Sequence, residues 1–257
     1  MTQKIILDGD FKPFGLAVAM QRDRIGSPNT KFGYNAATGT SAETIWLQGG
    51  AYTWNSAAQL EVTSSDADDT SAGAGARTVT IQGLDANYAA IEETVDMNGQ
   101  TADAGSTTTA SFLRVNRMFV ATVGASETNE GTIYASTGTQ TGGVPDVATT
   151  IRATIGPGAG QTLQCIYTVP ASKTMYLYQI WASSAATTAS AQIDFLTREE
   201  GGAWRTRNRF ACQQGSVIAP YNFPLVINEK TDIEVQGTSS LSDIDVSASF
   251  EFLLTPN

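Results

Sequence analysis

The sequence contains no histidine. That absence removes the commonest general base, the commonest zinc ligand and every Ser-His or Cys-His nucleophile pair. Cysteine is nearly absent as well. Cys165 and Cys212 are the only two in 257 residues, too few for a disulfide framework and too far apart for a short-spaced metal motif. Both are expected to face the core as small apolar residues. Charged residues form 16% of the chain, below the usual share of about a quarter. Gly, Ala, Ser and Thr take their place, a mix that suits strands and tight turns better than exposed helices. No apolar run is long enough to cross a bilayer, and Phe14–Met20 (FGLAVAM) is too short for a span or a signal peptide. Walker A and G-x-S-x-G sequences are missing too.

The charge that is present is mostly negative. A net charge of −10 and a pI near 4.4 repel the phosphates that dominate nucleic-acid binding. Genome packaging and DNA binding are therefore set aside, and the lack of a spanning run sets a membrane partner aside. The balance fits an outer, solvent-facing surface. A soluble protein made and assembled in the cytoplasm is expected.

Apolar residues alternate in short runs with period two. Val79 and Ile81 share a face in ARTVTIQGL. Val95 and Met97 share one in IEETVDM, before an Asn98-Gly99 turn. Leu113, Val115, Phe119 and Val123 form another set. Leu163, Cys165, Tyr167 and Val169 follow in TLQCIYTV. The run Lys173–Trp181 is apolar on both sides, with Met175, Leu177 and Trp181 against Tyr176, Tyr178 and Ile180. The last run is the cleanest, with Ile244, Val246, Ala248, Phe250, Phe252 and Leu254 on one face. This pattern predicts an all-β chain of two β-sandwich, jelly-roll-like domains. Residues 1–34 hold a third of the basic residues and lack a sustained period. They are read as an extended N-terminal arm, or as an edge strand from Lys4 to Asp8 followed by a surface loop. The first sandwich is assigned to residues 35–148. The Gly/Thr-rich stretch before residue 149 marks the boundary with the second, 149–257.

Candidate chemistry is sparse. The Gly-rich pieces Gly73–Arg77 and Gly156–Gly160 lack phosphate-binding spacing and read as turns. Glu92/Glu93 and Glu199/Glu200 are adjacent, so on a strand each pair points to opposite faces, poorly placed for glycosidase work. Asp243 and Asp245 share a face but flank the polar side of the last strand. Asp66, Asp68 and Asp69 form an oxygen-rich loop, open to calcium or to plain turn formation. No catalytic residue, cofactor or resident metal is expected. Arg205, Arg207 and Arg209 alternate in WRTRNRF, which puts all three on one face with Trp204 and Phe210 on the other. Like charges in a row need an answer. They meet either cross-strand acids such as Asp194 or Glu234, or an acidic neighbouring subunit. Arg114 and Arg117 pose the same choice. Trp46, Tyr52 and Trp54 in IWLQGGAYTW are either core aromatics or an exposed platform for glycan.

Several stretches carry a resemblance. SAGAGARTVTIQGLDANYAAIEETVDMNG and FLRVNRMFV, with YTVPASKTMYLYQIWASS, GGAWRTRNRF and PLVINEKTDIEV, cover most of residues 70–254. Together they resemble segments of virion structural proteins of tailed bacteriophages, especially marine and cyanobacterial ones. One departure is Ser172, where the resembling pattern has Gly. The resemblance implies a virion part, carries over no active residues and does not say which part. The acidic charge, the small size, the β-sandwich pattern and a leader that could lace into neighbours favour a capsid cement or decoration protein bound to the major capsid protein, often as a trimer. A tail, collar or baseplate element is the alternative. A glycan-binding module and a polysaccharide-degrading enzyme are the readings outside that class.

Overall fold

A computed structural model of the chain describes residues 26–241 and 243–257. It is all-β, built of antiparallel sheets. In chain order, β1 (Ser27–Thr38) and β2 (Glu43–Thr44) come first. There follow β3 (Glu61–Ser64), β4 (Ala76–Leu84), β5 (Ala90–Asp96), β6 (Arg114–Val123), β7 (Ile133–Ser136), the small hairpin β8 (Gln140–Thr141)–β9 (Val144–Pro145), and β10 (Ile151–Ile155). The rest is β11 (Ile166–Thr168), β12 (Lys173–Ser184), β13 (Ala191–Arg198), β14 (Arg205–Cys212), β15 (Gly215–Ile227), β16 (Asp232–Ser239) and β17 (Ile244–Pro256). No helix among the described residues is long and apolar enough to cross a membrane.

The strands make two sandwiches. In the first, β10-β7-β3 faces β5-β4-β6. The alternating residues Val79 and Ile81, with Val95 and Met97, fill the space between them together with Leu60, Phe112, Met118 and Ile133. Gly99 takes the expected turn with φ 64°, a left-handed conformation that glycine adopts without strain. In the second sandwich, an outer sheet β1-β17-β12-β15 packs on an inner sheet β11-β16-β13-β14, with β2 beside β11 on the edge of β16. With β2 and β11 as one position, the orders are first-eighth-third-sixth and second-seventh-fourth-fifth. That is the jelly-roll arrangement of two four-stranded sheets. Its core holds the inward residues of β17 from Ile244 to Phe252, with Phe195 edge-on to Phe250 at 5.6 Å. Cys165 and Cys212 lie in the same core, as expected.

The boundaries differ from those read in the sequence. β1 crosses residue 34 and pairs along its length with β17, so residues 27–34 are an edge strand of the jelly roll. The rest of the expected arm, residues 1–25, lies outside the described residues. β10 follows residue 149 but pairs with β7 of the first sandwich. The first sandwich is therefore inserted into the second, between β2 and β11. Sequence period alone missed this because edge strands are exposed: β1 alternates only in its second half.

A bulge explains the double-sided look of β12. Register with both neighbours shifts between Leu177 and Gln179. The extra residue reverses the alternation. Met175, Leu177 and Ile180 all enter the core, while Trp181 turns to the outside.

Ser172 holds φ 60° at the turn into β12. A Cβ in that region costs about 1 kcal/mol, partly offset because Gly has more freedom when unfolded. Ser172→Gly should therefore stabilise the fold by roughly 0.5–1 kcal/mol in urea unfolding. A loss of stability would show that the serine side chain contributes more than its backbone strain removes.

Candidate functional site

The inner sheet turns a polar face toward the first sandwich. β16 sends Ile233 and Val235 into the jelly-roll core. Alternation puts Asp232, Glu234 and Gln236 on the opposite face, yet Asp232 and Glu234 are only 4% and 3% exposed. The first sandwich covers them with Arg114, from the start of β6, and with the loop that carries Trp54. Buried charges need partners or they cost several kcal/mol, and here the partners are complete.

Arg114 grips Asp232 with two parallel bonds. Its Nε donates to Oδ1 at 2.9 Å and its Nη2 to Oδ2 at 3.0 Å. Arg198 Nη2 donates to the same Oδ2 at 2.6 Å, and the Thr168 hydroxyl donates to Oδ1 at 2.6 Å. Asp232 thus accepts four bonds, the full capacity of a carboxylate. Arg114 Nη1 is used as well, by the Asn55 and Leu113 carbonyls at 3.0 and 2.9 Å. Burial works against the Arg114 charge, but its bonds to Asp232 outweigh that and hold its pKa above the ordinary value.

Aromatic rings wall this cluster. Trp46, Tyr52, Trp54 and Trp204 follow one another at ring spacings of 5.2, 5.0 and 5.2 Å. The Arg114 guanidinium lies 5.0 Å from the Trp54 ring, and that of Arg198 lies 4.6 Å from Trp204. Cations over indole faces gain further when water is excluded. Trp54 also donates from Nε1 to Glu234 Oε2 at 3.1 Å. Glu234 Oε1 takes the Thr44 hydroxyl at 2.5 Å and Gln236 at 3.0 Å. Burial raises the Glu234 pKa despite these three donors. Burial likewise pushes Tyr52 up to about 12.

The residues singled out in the sequence fall into three groups. Arg114, Trp46, Tyr52 and Trp54 come together here, at the seam between the two halves of one chain. The aromatic triplet is packed and offers no exposed glycan platform: Trp46 and Tyr52 are buried and Trp54 is half-buried. Arg117 is apart, bonded to Gln161 Oε1 and lying over the Phe119 ring at 4.6 Å. The three arginines of β14 do not share one face. A bulge opposite Phe195 and Leu196 brings Arg205 level with Thr197, and so onto the other side from Arg207 and Arg209. Arg209 meets Asp194 in a two-bond pair at 2.6 and 2.8 Å. Arg205 reaches only an exposed Glu199 at 3.9 Å, and Arg207 makes no ion pair among the described residues.

The acidic candidates are also occupied. Asp69 is fully buried. It accepts Ser64 Oγ at 2.6 Å and the amides of Ala76, Glu130 and Gly131 at 2.7, 2.9 and 2.9 Å. Its oxygens point at donors, an arrangement that serves the loop and leaves no lone pair for calcium. Asp66 accepts the Asp68 amide at 2.8 Å in a local turn. Among the described residues no three His, Cys, Asp or Glu side chains gather as a metal would require. Glu93 is bonded by the amides of Thr109 and Ala110, which lower its pKa against the opposing effect of burial. Glu199 and Glu200 turn to different cations, Arg205 and Lys230.

Sequence reading missed Asp232, Arg198 and Thr168. The available signal was the TDIEVQ run, where acids alternate with β-branched apolar residues as they would on a strand buried on both sides.

No protein-family model and no curated protein matches the sequence. Among solved structures, the chain is similar to infectious bursal disease virus, Gt strain, at 12% identity, covering 96% of this chain and 88% of that one with a TM-score of 0.19. A second likeness is to the Gx strain of the same virus, at 10% identity over 95% and 78% of the two chains, TM-score 0.23. A third is to its VP2 subviral particle, at 11% identity over 90% and 82%, TM-score 0.19. The fold assignment rests on strand register and not on these likenesses.

Two outcomes follow from the cluster. Arg114→Met strands part of a buried carboxylate and should cost about 3–5 kcal/mol in urea unfolding. Combined with Asp232→Leu, it should cost less than the two single changes added together. Strict additivity would mean that the pair is not coupled. Glu234 has a raised pKa in the fold, so the folded state holds its proton at pH values where the unfolded chain has released it. Its contribution to stability is present below the ordinary glutamate pKa and is lost as pH rises through the folded value. Glu234→Gln should flatten that part of the stability-pH curve, and an unchanged slope would assign the pH dependence elsewhere.

Proposed function

We propose that the chain is a non-enzymatic virion structural protein of a tailed bacteriophage. Its role is to bind the outer shell as a cement or decoration protein, against the major capsid protein. One observation supports the non-catalytic part. The buried polar cluster at Asp232 is closed on itself, with every carboxylate lone pair filled by a donor of the same chain. A catalytic acid or base needs an open position toward substrate. These groups hold two β-layers in register instead.

The resemblance of residues 70–254 to tailed-phage structural proteins supports the virion part. A jelly roll by itself does not choose among functions. The net charge of −10 favours an exterior position over contact with packaged DNA. The solvent face of the outer sheet offers a contact surface. One row across it, Phe32–Ser249–Trp181–Ile218, carries no charge and two large aromatics, the composition of an interface centre. Binding only to the assembled shell would stabilise that shell by linkage. Assembly would take place in the host cytoplasm.

Copy number in purified particles tests this. Quantitative mass spectrometry against the major capsid protein should give about one copy per capsid subunit, or about one per three, as shell symmetry demands. A ratio far below that would overturn the cement role and place the chain in the tail, collar or baseplate.

A further inference from the structure

A cleft of about 620 Å³ separates the β1 edge of the jelly roll from the outer face of the first sandwich. Polar side chains line it from both sides. Alternation turns Ile81 into the core of the first sandwich and Gln82 therefore outward. Gln82 stands level with Glu92 on β5 and with Arg117 on β6. An acid, an amide and a cation thus form one row across the sheet, and all three line the cleft. From the other side β1 supplies Asn29 and Lys31, two residues apart and on the face opposite Phe32. Gln161 completes the set.

The bonds inside the cleft leave its two cations without a counter-charge. Glu92 Oε2 accepts the Gln82 amide at 2.6 Å. Arg117 uses Nε and Nη2 on Gln161 Oε1, at 3.2 and 2.9 Å, and its Nη1 donates to nothing among the described residues. Lys31 is half-buried; its ammonium has three donors and uses one, on the Asn116 carbonyl. Neither cation forms an ion pair among the described residues. Burial pushes the Lys31 pKa down to about 8, the response of an ammonium that lacks a nearby carboxylate. Two such cations converge on one cavity in a chain of net charge −10.

We propose that this cleft binds a saccharide that carries a carboxylate, with the carboxylate between Lys31 and Arg117 and ring hydroxyls on Glu92, Gln82 and Asn29. The groups present select this class. A hydroxyl both donates and accepts, which matches a carboxylate set beside side-chain amides. A single negative charge matches two cations set against one acid. A phosphate ester, with about two negative charges, is opposed by Glu92 in the same row. An extended peptide would have to displace Lys31, whose side chain already crosses from β1 to the Asn116 carbonyl on β6. The volume lies within the range of about 300–1,000 Å³ that encloses small ligands. This cleft is separate from the Trp46, Tyr52 and Trp54 cluster, which is packed at the seam. Binding here adds a second function to the shell-binding role and does not depend on it.

Ligand-observed NMR with the full chain tests it. The acidic probes are trigalacturonate and sialyllactose; their neutral counterparts are the fully methyl-esterified trigalacturonate and lactose. At least one acidic probe should bind with a Kd of about 1 mM or tighter, and its neutral counterpart about tenfold more weakly. Arg117→Gln, at an exposed position, and Lys31→Met should each weaken the acidic probe to the level of the neutral one, with wild-type circular dichroism. If Lys31→Met disturbs folding, the Arg117 variant decides alone. No binding of either acidic probe at about 10 mM overturns the proposal, as does equal binding of acidic and neutral probes. Binding that survives Arg117→Gln also overturns it, since the carboxylate would then lie elsewhere. A glutamate-rich peptide that binds more tightly than both saccharides would assign the cleft to acidic peptide and overturn the saccharide.

Discussion

Two arginines from different β-layers share one carboxylate, and the arrangement of the whole molecule turns on that sharing. Asp232 sits on the inner jelly-roll sheet, Arg198 on the neighbouring strand, and Arg114 on the first sandwich. A buried pair of this kind adds little net stability compared with well-packed apolar residues. Its value lies in geometry. A forked guanidinium fits a carboxylate in one orientation, so the two sandwiches can dock in one register only. Trp54 links this pair to Glu234, and through Thr44 to the Tyr52 amide, so that displacement of one member would unpair several others.

The fold class was legible because period-two alternation depends on one face being dry. It was cleanest where that held, in β17, whose inward residues from Ile244 to Phe252 all reach the core. It misled at β12 and β14, where a single extra residue reverses the faces. No residue pattern announces such a bulge, since its cause is the register of the neighbouring strand. The domain boundaries were hidden for a related reason. Composition marks linkers, but the insertion of one sandwich into another is a fact of pairing between distant strands.

The seam was half legible. Arg114 and the three aromatics drew attention as charged and bulky residues in strand-like runs. Asp232 and Arg198 did not, and Glu234 was considered only as a partner for the β14 arginines, because an acid on a strand reads as solvent-facing until a second layer is known to cover it. Asp69 shows the same effect on a smaller scale. Three acids in a loop suggest a cation, whereas the buried one gathers amides from two loops and shapes both.

The nested topology bears on how the chain acquires its structure. Ser27 pairs with Leu254, across nearly the whole described sequence. The strands of the first sandwich pair only with one another, within residues 61–155, and can condense while later strands are still being synthesised. β1 must wait until β17 exists. Contacts between residues so far apart in sequence slow folding, and an unpaired edge strand is exposed to wrong partners during the delay. The charge distribution of β1 suits that interval: Lys31 at its middle, half-buried once the sheet is complete, discourages premature pairing with other uncharged edges.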